Sequence, residues 1–156
     1  PQYVPDGVQR QEPLKTDTVD FMQLFQDSTD LYKIAMDSGM DVTEEFGESP
    51  YYTAFDGAVQ ITGLASSPRV YGVSISQYIE GVSIGGCMIG MNASECIEKY
   101  RLMGFDPPVD CGYEGKFNLF KEQDLAVVSL YVVSDIVVKM DYGVFLGEDE
   151  WYPDMY

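Results

Sequence analysis

The residues GGCMIGMNASECIEKYRLMGFDPP, Gly85 to Pro108, write both ends of one short helix into the sequence. Asn92 followed by Glu95 makes a capping-box start, in which Asn92 accepts an orphan backbone N–H and Glu95 reaches back to the cap. Ala93, Cys96, Ile97, Tyr100 and Met103 recur at helical spacing, so one apolar stripe needs a second layer to bury it. Gly104 supplies a left-handed stop, and Pro107 and Pro108 forbid continuation.

The same grammar occurs earlier in the chain. Thr18 to Gln26 holds a dense apolar cluster, Val19, Phe21, Met22, Leu24 and Phe25, which fits a short helix better than an extended lead-in. Asp27 then caps STDLYKIAMDS, with Asp30 in the capping-box place and Gly39 as the stop. A shift of 65 residues without a gap sets Asp27 on Asn92, Asp30 on Glu95, Leu31 on Cys96, Gly39 on Gly104 and Asp41 on Asp106. The register continues with Tyr52 on Phe117, Phe55 on Phe120, and Tyr71, Val73 and Ile75 on Ile136, Val138 and Met140. An internal repeat explains this agreement, although two ordinary helix-then-strand segments can coincide, because Gly after a helix is common.

In each unit, strands follow the helix. Tyr52 to Phe55 precedes an Asp56-Gly57 turn, Ala58 to Leu64 follows, and Ser66 to Pro68 turn into Arg69 to Gln77. Lys116 to Lys121, Leu125 to Val133 and Asp135 to Tyr142 are the counterparts. Tyr71, Val73 and Ile75 alternate with Gly72, Ser74 and Ser76, and Ile136, Val138 and Met140 with Val137, Lys139 and Asp141. Such alternation predicts antiparallel strands with one face on helix and one partly wet. The expected class is α+β, with two tandem helix-plus-antiparallel-sheet units whose sheets join side by side. The boundaries are an N-terminal arm or tether over 1–17, units at 18–84 and 85–149, and an acidic aromatic tail at 150–156.

Ile89-Gly90-Met91-Asn92 through Gly104, echoed by Asp27 through Gly39 and repeated in tandem before antiparallel meanders, resembles the β-lactamase-inhibitor-protein-like group, which includes the small outer-membrane assembly lipoproteins. The likeness covers about 130 residues, taken as units of about 65. The first copy departs from the second in having Phe25-Gln26 in place of Gly90-Met91. The resemblance implies the fold and an extracytoplasmic, protein-binding habit, and it carries over no site residue.

Composition narrows the functional classes. The 156 residues carry 26 acidic against 9 basic side chains, a net charge of −17. Nucleic-acid and anionic-membrane binding need cationic surface, so neither is expected. No apolar run approaches the roughly 18 residues of a membrane span. A chain that begins at Pro1 is expected to follow a removed segment, which a signal or lipid-attachment sequence would fit.

Histidine is absent, and with it the commonest general base and metal ligand. Glu44-Glu45 and Glu148-Asp149-Glu150 read as solvated carboxylates, and Gly85-Gly86 leads to no phosphate-loop lysine. No EF-hand spacing occurs; Asp106 to Asp110 and Glu148 to Asp154 are the places where a calcium ion would be sought, and no metal or cofactor is expected. Cys87, Cys96 and Cys111 fall on Met22, Leu31 and Phe46 under the shift, which favours buried apolar positions. One disulfide, Cys96 to Cys111 or Cys87 to Cys111, remains open. Trp151, beside Tyr152 and Tyr156, is expected to staple the tail onto its own domain, with an exposed binding cluster as the other reading.

These features favour a non-enzymatic, extracytoplasmic protein-binding or scaffold domain, secreted or lipid-anchored at an envelope, with another envelope or extracellular protein as partner. The wet strand face, Gln60, Thr62, Ser74, Ser76, Lys139 and Asp141, is the expected contact surface. The competing expectation is a ligand-binding or enzymatic domain with a pocket between helices and a curved sheet, lined by Tyr100, Tyr113, Phe117, Tyr131 and a buried carboxylate.

Overall fold

A computed structural model describes residues 18–47, 50–63, 70–112 and 115–151. The helices are Phe21–Asp27 (α1), Leu31–Asp37 (α2) and Ala93–Leu102 (α3). Val19–Asp20 (β1) and Val82–Ser83 (β6) form a small parallel pair. The remaining strands are Thr43–Glu45 (β2), Tyr51–Ala54 (β3), Val59–Gly63 (β4), Val70–Ile75 (β5), Val109–Asp110 (β7), Lys116–Lys121 (β8), Ala126–Val133 (β9) and Ile136–Phe145 (β10). They make one antiparallel sheet in the order β2-β3-β4-β5-β10-β9-β8-β7. The chain is therefore a mixed α+β fold in which strands from both ends of the sequence share one sheet.

The helix ends follow from local chemistry, with two changes from expectation. Asn92 caps α3 by accepting the Ser94 N–H at 3.1 Å, but Glu95 makes no return bond to the cap. Arg101 and Lys99 lie in the last turn, where cations suit the carbonyl end, and Gly104 follows with a left-handed φ of 100°. The cap of α2 is Asp30, not Asp27: Asp30 accepts from Tyr32 and Lys33, while Asp27 ends α1. Both aspartates are good caps by type, and only Asp30 is followed directly by the turn that buries Ile34 and Ala35.

Asp20 ties the two halves together at their starts. Its Oδ1 accepts the Met22 N–H at 3.0 Å, capping α1, and also the Gly85 N–H at 2.8 Å. Gly85 has a left-handed φ of 62°, and a Cβ there would lie 2.9 Å from Met22 Cε. The left-handed φ is what favours glycine, since the end of the Met22 side chain can give way.

The core lies between the helices and one side of the sheet. Across that side, Tyr52, Ile61, Val73, Tyr142, Val128 and Leu119 are successive partners in neighbouring strands. Phe25 packs on Tyr142 with ring centroids 5.9 Å apart, and Tyr32 on Tyr52 at 6.1 Å. Ala93, Cys96 and Tyr100 from α3 join the same core; Met103, expected on its stripe, is largely exposed.

One alternation slips. The register shifts between Val137 and Lys139, so Val137 is buried and Val138 is 40% exposed, the reverse of the expected phase. A β-bulge adds one residue to β10 and moves its first side chains to the other side.

The joint between β5 and β10 pairs Gly72 with Gly143. A Cβ on Gly72 would lie 2.4 Å from the Tyr142 carbonyl oxygen and 3.2 Å from Gly143 Cα, so the backbone there has no room for a side chain. Gly72→Ala should lower stability by about 1–3 kcal/mol, the usual cost of overpacking, read as a lower urea midpoint. An unchanged midpoint would refute the close approach.

A pH effect follows from the buried phenols. Burial raises the Tyr100 hydroxyl well above its ordinary 10.0 and raises Tyr142 as well. Above pH 10 the unfolded chain releases these protons and the folded chain keeps them, so stability should fall with rising pH. The slope is about 1.4 kcal/mol per pH unit for each protected tyrosine. Urea melts between pH 8 and 11, with tyrosinate absorbance recorded alongside, check it; ionisation of every tyrosine before unfolding would contradict it.

Candidate functional site

On the side of the sheet away from the helices, one row of cross-strand partners runs through all eight strands. It reads Thr43, Thr53, Gln60, Ser74, Asp141, Ser129, Asn118 and Val109. At the usual strand spacing it extends roughly 34 Å. Every position but the last is polar, and directly behind it, from Tyr52 in β3 to Leu119 in β8, the row is apolar, with Glu44 opposite Tyr52 in β2. Alternation along each strand produces this division, and register carries it from strand to strand.

The row differs along its length. At one end a groove of about 650 Å³ opens over β2, β3 and β4, with Asp41, Thr43, Glu45, Tyr51, Thr53 and Gln60 in its lining. The turn Phe55-Asp56-Gly57 forms its rim, and Phe55 and Asp56 both have a φ of 55°. The Ala58 N–H on the Phe55 carbonyl at 3.1 Å closes a tight turn whose two central residues, Asp56 and Gly57 (φ 84°), are left-handed as such a turn requires; Phe55 before them is left-handed too, and a bulky residue holds that conformation only under packing. Phe55 gains that packing from the main core.

Near the centre, Tyr131 donates its hydroxyl to Asp141 Oδ2 at 3.2 Å. Lys139 Nζ lies 4.8 Å from the Tyr131 ring centroid and Lys116 Nζ 5.5 Å from it, both within cation–π range. Burial, and then the negative charge of Asp141, raise the Tyr131 hydroxyl above its ordinary pKa, so it stays a donor at neutral pH. Asp141 Oδ1 is buried and has no hydrogen-bond partner among the described residues. Next in the row, Ser129 donates to Asn118 Oδ1 at 2.6 Å, and both residues are buried. One pair is thus satisfied internally, and the neighbouring carboxylate is satisfied at one oxygen only.

At the far end the side is apolar and covered. Phe120, Val127 and Phe145 form a second cluster with Leu125 and Trp151. Trp151 meets Phe145 and Phe120 edge-on, at centroid distances of 5.0 and 5.9 Å. The tail therefore folds back onto its own sheet as far as Trp151; Tyr152 and Tyr156 lie outside the described residues.

Five of the six expected contact residues fall on this side: Gln60, Ser74 and Asp141 are consecutive members of the row, Thr62, opposite Gly72, lies beyond it on one flank and Lys139 on the other. Ser76 follows the end of β5, with its hydroxyl on the Ala58 carbonyl at 3.4 Å. Thr43, Thr53, Asn118 and Ser129, not among the expected six, join the row, and Tyr131, expected in a pocket lining, stands beside it. The alternation in Phe117-Asn118-Leu119 and Val128-Ser129-Leu130 carried the signal for two of them.

The residues expected to line a pocket do not converge. Tyr100 is fully buried in the helix-side core, where its hydroxyl donates to the Ile84 carbonyl at 2.7 Å, whereas Tyr131 is on the opposite side of the sheet. Phe117 pairs with Leu130 on the helix side, and Tyr113 lies outside the described residues. Among the described residues no three His, Cys, Asp or Glu side chains could hold a metal ion, Asp106 to Asp110 included; Tyr152 to Asp154 of the other candidate stretch lie outside them. All three cysteines are free thiols, so neither pairing with Cys111 is formed.

No family model, no curated protein and no solved structure matches this chain.

Trp151→Ala should lower stability by about 2 kcal/mol, less than the roughly 3–5 kcal/mol of a fully buried aromatic. Trp151 is the one tryptophan, so its emission should shift to longer wavelength when Phe145 is replaced by Ala. A Trp151→Ala melt equal to that of the parent would show that the tail contact adds nothing.

Proposed function

We propose that this chain is a non-enzymatic protein-binding or scaffold domain that works outside the cytoplasm, secreted or held at a cell envelope. The helix-free side of its sheet would be the contact surface. The observation that carries the reading is the polar row with a half-satisfied carboxylate, Asp141, near its centre. A buried carboxylate oxygen without a donor costs free energy in the isolated fold, and a partner's lysine, arginine or hydroxyl recovers it on docking. The net charge of −17 and the acids Asp41 and Glu45 in the adjoining groove favour a basic contact. Among the described residues no helix is long and apolar enough to cross a membrane.

The proposal includes a tandem origin for the two halves, of the kind found in the β-lactamase-inhibitor-protein-like group. In its support, a shift of 65 residues carries β2, β3, β4 and β5 onto 108–110, 116–119, 124–128 and 135–140, which overlap β7, β8, β9 and β10 in turn. Gly39 and Gly104, aligned by the same shift, are both left-handed, at 72° and 100°. The caps do not align, since Asp30 falls on Glu95 and not on Asn92. One helical turn at the start of α2 differs between the copies.

The test is a pulldown from envelope or secreted extract with the full chain as bait, set against the charge-reversed pair Lys139→Glu and Asp141→Lys. Binding of the captured protein should weaken more than about tenfold, the scale of breaking a charged contact at an interface. Retention at parental affinity, with an unchanged melt, would exclude this side of the sheet.

A further inference from the structure

We propose that Cys87 and Cys96 are a disulfide-forming pair, which closes into one bond in a disulfide-buffered oxidising environment while Cys111 stays a free thiol. The proposal is independent of the binding role. Its basis is the way two local structures bring the sulfurs together. Ile84 and Cys87 exchange backbone hydrogen bonds of 2.9 and 3.1 Å around Gly85 and Gly86, whose φ values of 62° and 81° make a tight reversal. That reversal aims Cys87 at the first turn of α3, where Asn92 starts the helix and Cys96 faces the core. The Tyr100 hydroxyl bonds to Ile84 and holds the turn against the helix.

Cys87 Sγ lies 3.9 Å from the Cys96 carbonyl oxygen, to which it donates, so the Cys87 side chain reaches the helix turn that carries Cys96. Both residues are fully buried in the main core. Cys111 is held elsewhere, on the β7–β8 connection, with its backbone N–H on the Lys116 carbonyl and its sulfur on that of Val109.

The hydrogen bond from Cys96 lowers the Cys87 thiol pKa against the opposing effect of burial, and the same bond raises Cys96. Cys87 is therefore the first nucleophile. Its thiolate attacks a small-molecule disulfide such as oxidised glutathione; one glutathione thiolate leaves, and a mixed disulfide forms on Cys87. Cys96 then loses its proton, attacks the Cys87 sulfur and expels the second glutathione. The protein loses two hydrogens, and one glutathione disulfide becomes two thiols. Because both sulfurs are buried, the exchange occurs while the turn is open or during folding.

The test refolds the reduced, full chain in glutathione buffers running from reducing to oxidising. Samples are acid-quenched and alkylated, and thiols are counted in denaturant and mapped by peptide mass. At the oxidising end one alkylated thiol, Cys111, and a Cys87–Cys96 linked peptide are expected. Cys111→Ser should still lose two thiols, and Cys87→Ser should lose none to an internal bond, which the mass reads even if that variant is unfolded. The same series in 6–8 M urea sets the unfolded reference, and the folded chain should favour the bond by at least about tenfold. Three free thiols after oxidative refolding, a bond to Cys111, or no advantage over the urea series would each overturn the assignment.

Discussion

Everything on the sheet depends on how closely β5 and β10 can approach. The two strands meet with Gly72 opposite Gly143, where the Tyr142 carbonyl occupies the space a side chain would need. Because these two strands are the last of their respective meanders, their pairing turns two four-stranded pieces into one sheet of eight. Without that joint the apolar row from Tyr52 to Leu119 would be cut in the middle, and each half would have to bury a smaller core alone. Small cores are marginal, since the fraction of surface buried rises with size. The glycines therefore matter for what they leave out.

A second constraint acts at the start of each half. Asp20 accepts from Met22 and from Gly85 with one oxygen, so the carboxylate that caps α1 also fixes the chain where the second half begins. The parallel contact of β1 with β6 is only two residues long and has little strength of its own. Capping and pairing reinforce each other here: the strand contact brings Gly85 near Asp20, and the shared acceptor holds α1 at that contact. Charge sits where the backbone presents donors, so a strongly acidic chain tolerates an aspartate near its core.

Elements whose signals agreed were legible in the sequence. Lys116–Lys121 was read to the residue, because its apolar alternation is bounded by Gly115 on one side and by charge on the other. Asn92 and Gly104 marked the ends of α3 because cap and stop chemistry are local. The failures occur where two local choices are nearly equal. Val137 and Val138 are both valines, so the bulge that exchanges their roles leaves composition unchanged and is decided by pairing with Val132 and Tyr131. Asp27 and Asp30 are equally good caps until the packing of Ile34 and Ala35 selects one. The meeting of Cys87 with Cys96 was hidden for another reason: the glycine pair before Cys87 reverses the chain, and linear spacing does not record direction.

The polar row was half legible on the same grounds. Gln60, Ser74 and Asp141 could be read because the residues around each alternate, in β10 from Lys139 onward; that they stand in one line required the register of two strand pairs, β4 with β5 and β5 with β10, which sequence spacing alone leaves undetermined. The line also separates two ways of treating buried polarity. Ser129 and Asn118 are sealed among neighbours and satisfy each other at 2.6 Å, a closed arrangement that supports the sheet and asks nothing of a partner. Asp141 is satisfied at one oxygen only, by the Tyr131 hydroxyl. A serine or threonine at position 141 would match the rest of the row and avoid burying charge, whereas the aspartate lowers stability unless a donor arrives from outside. The closed pair is explained within the fold, whereas the second oxygen of Asp141 has no donor among the described residues.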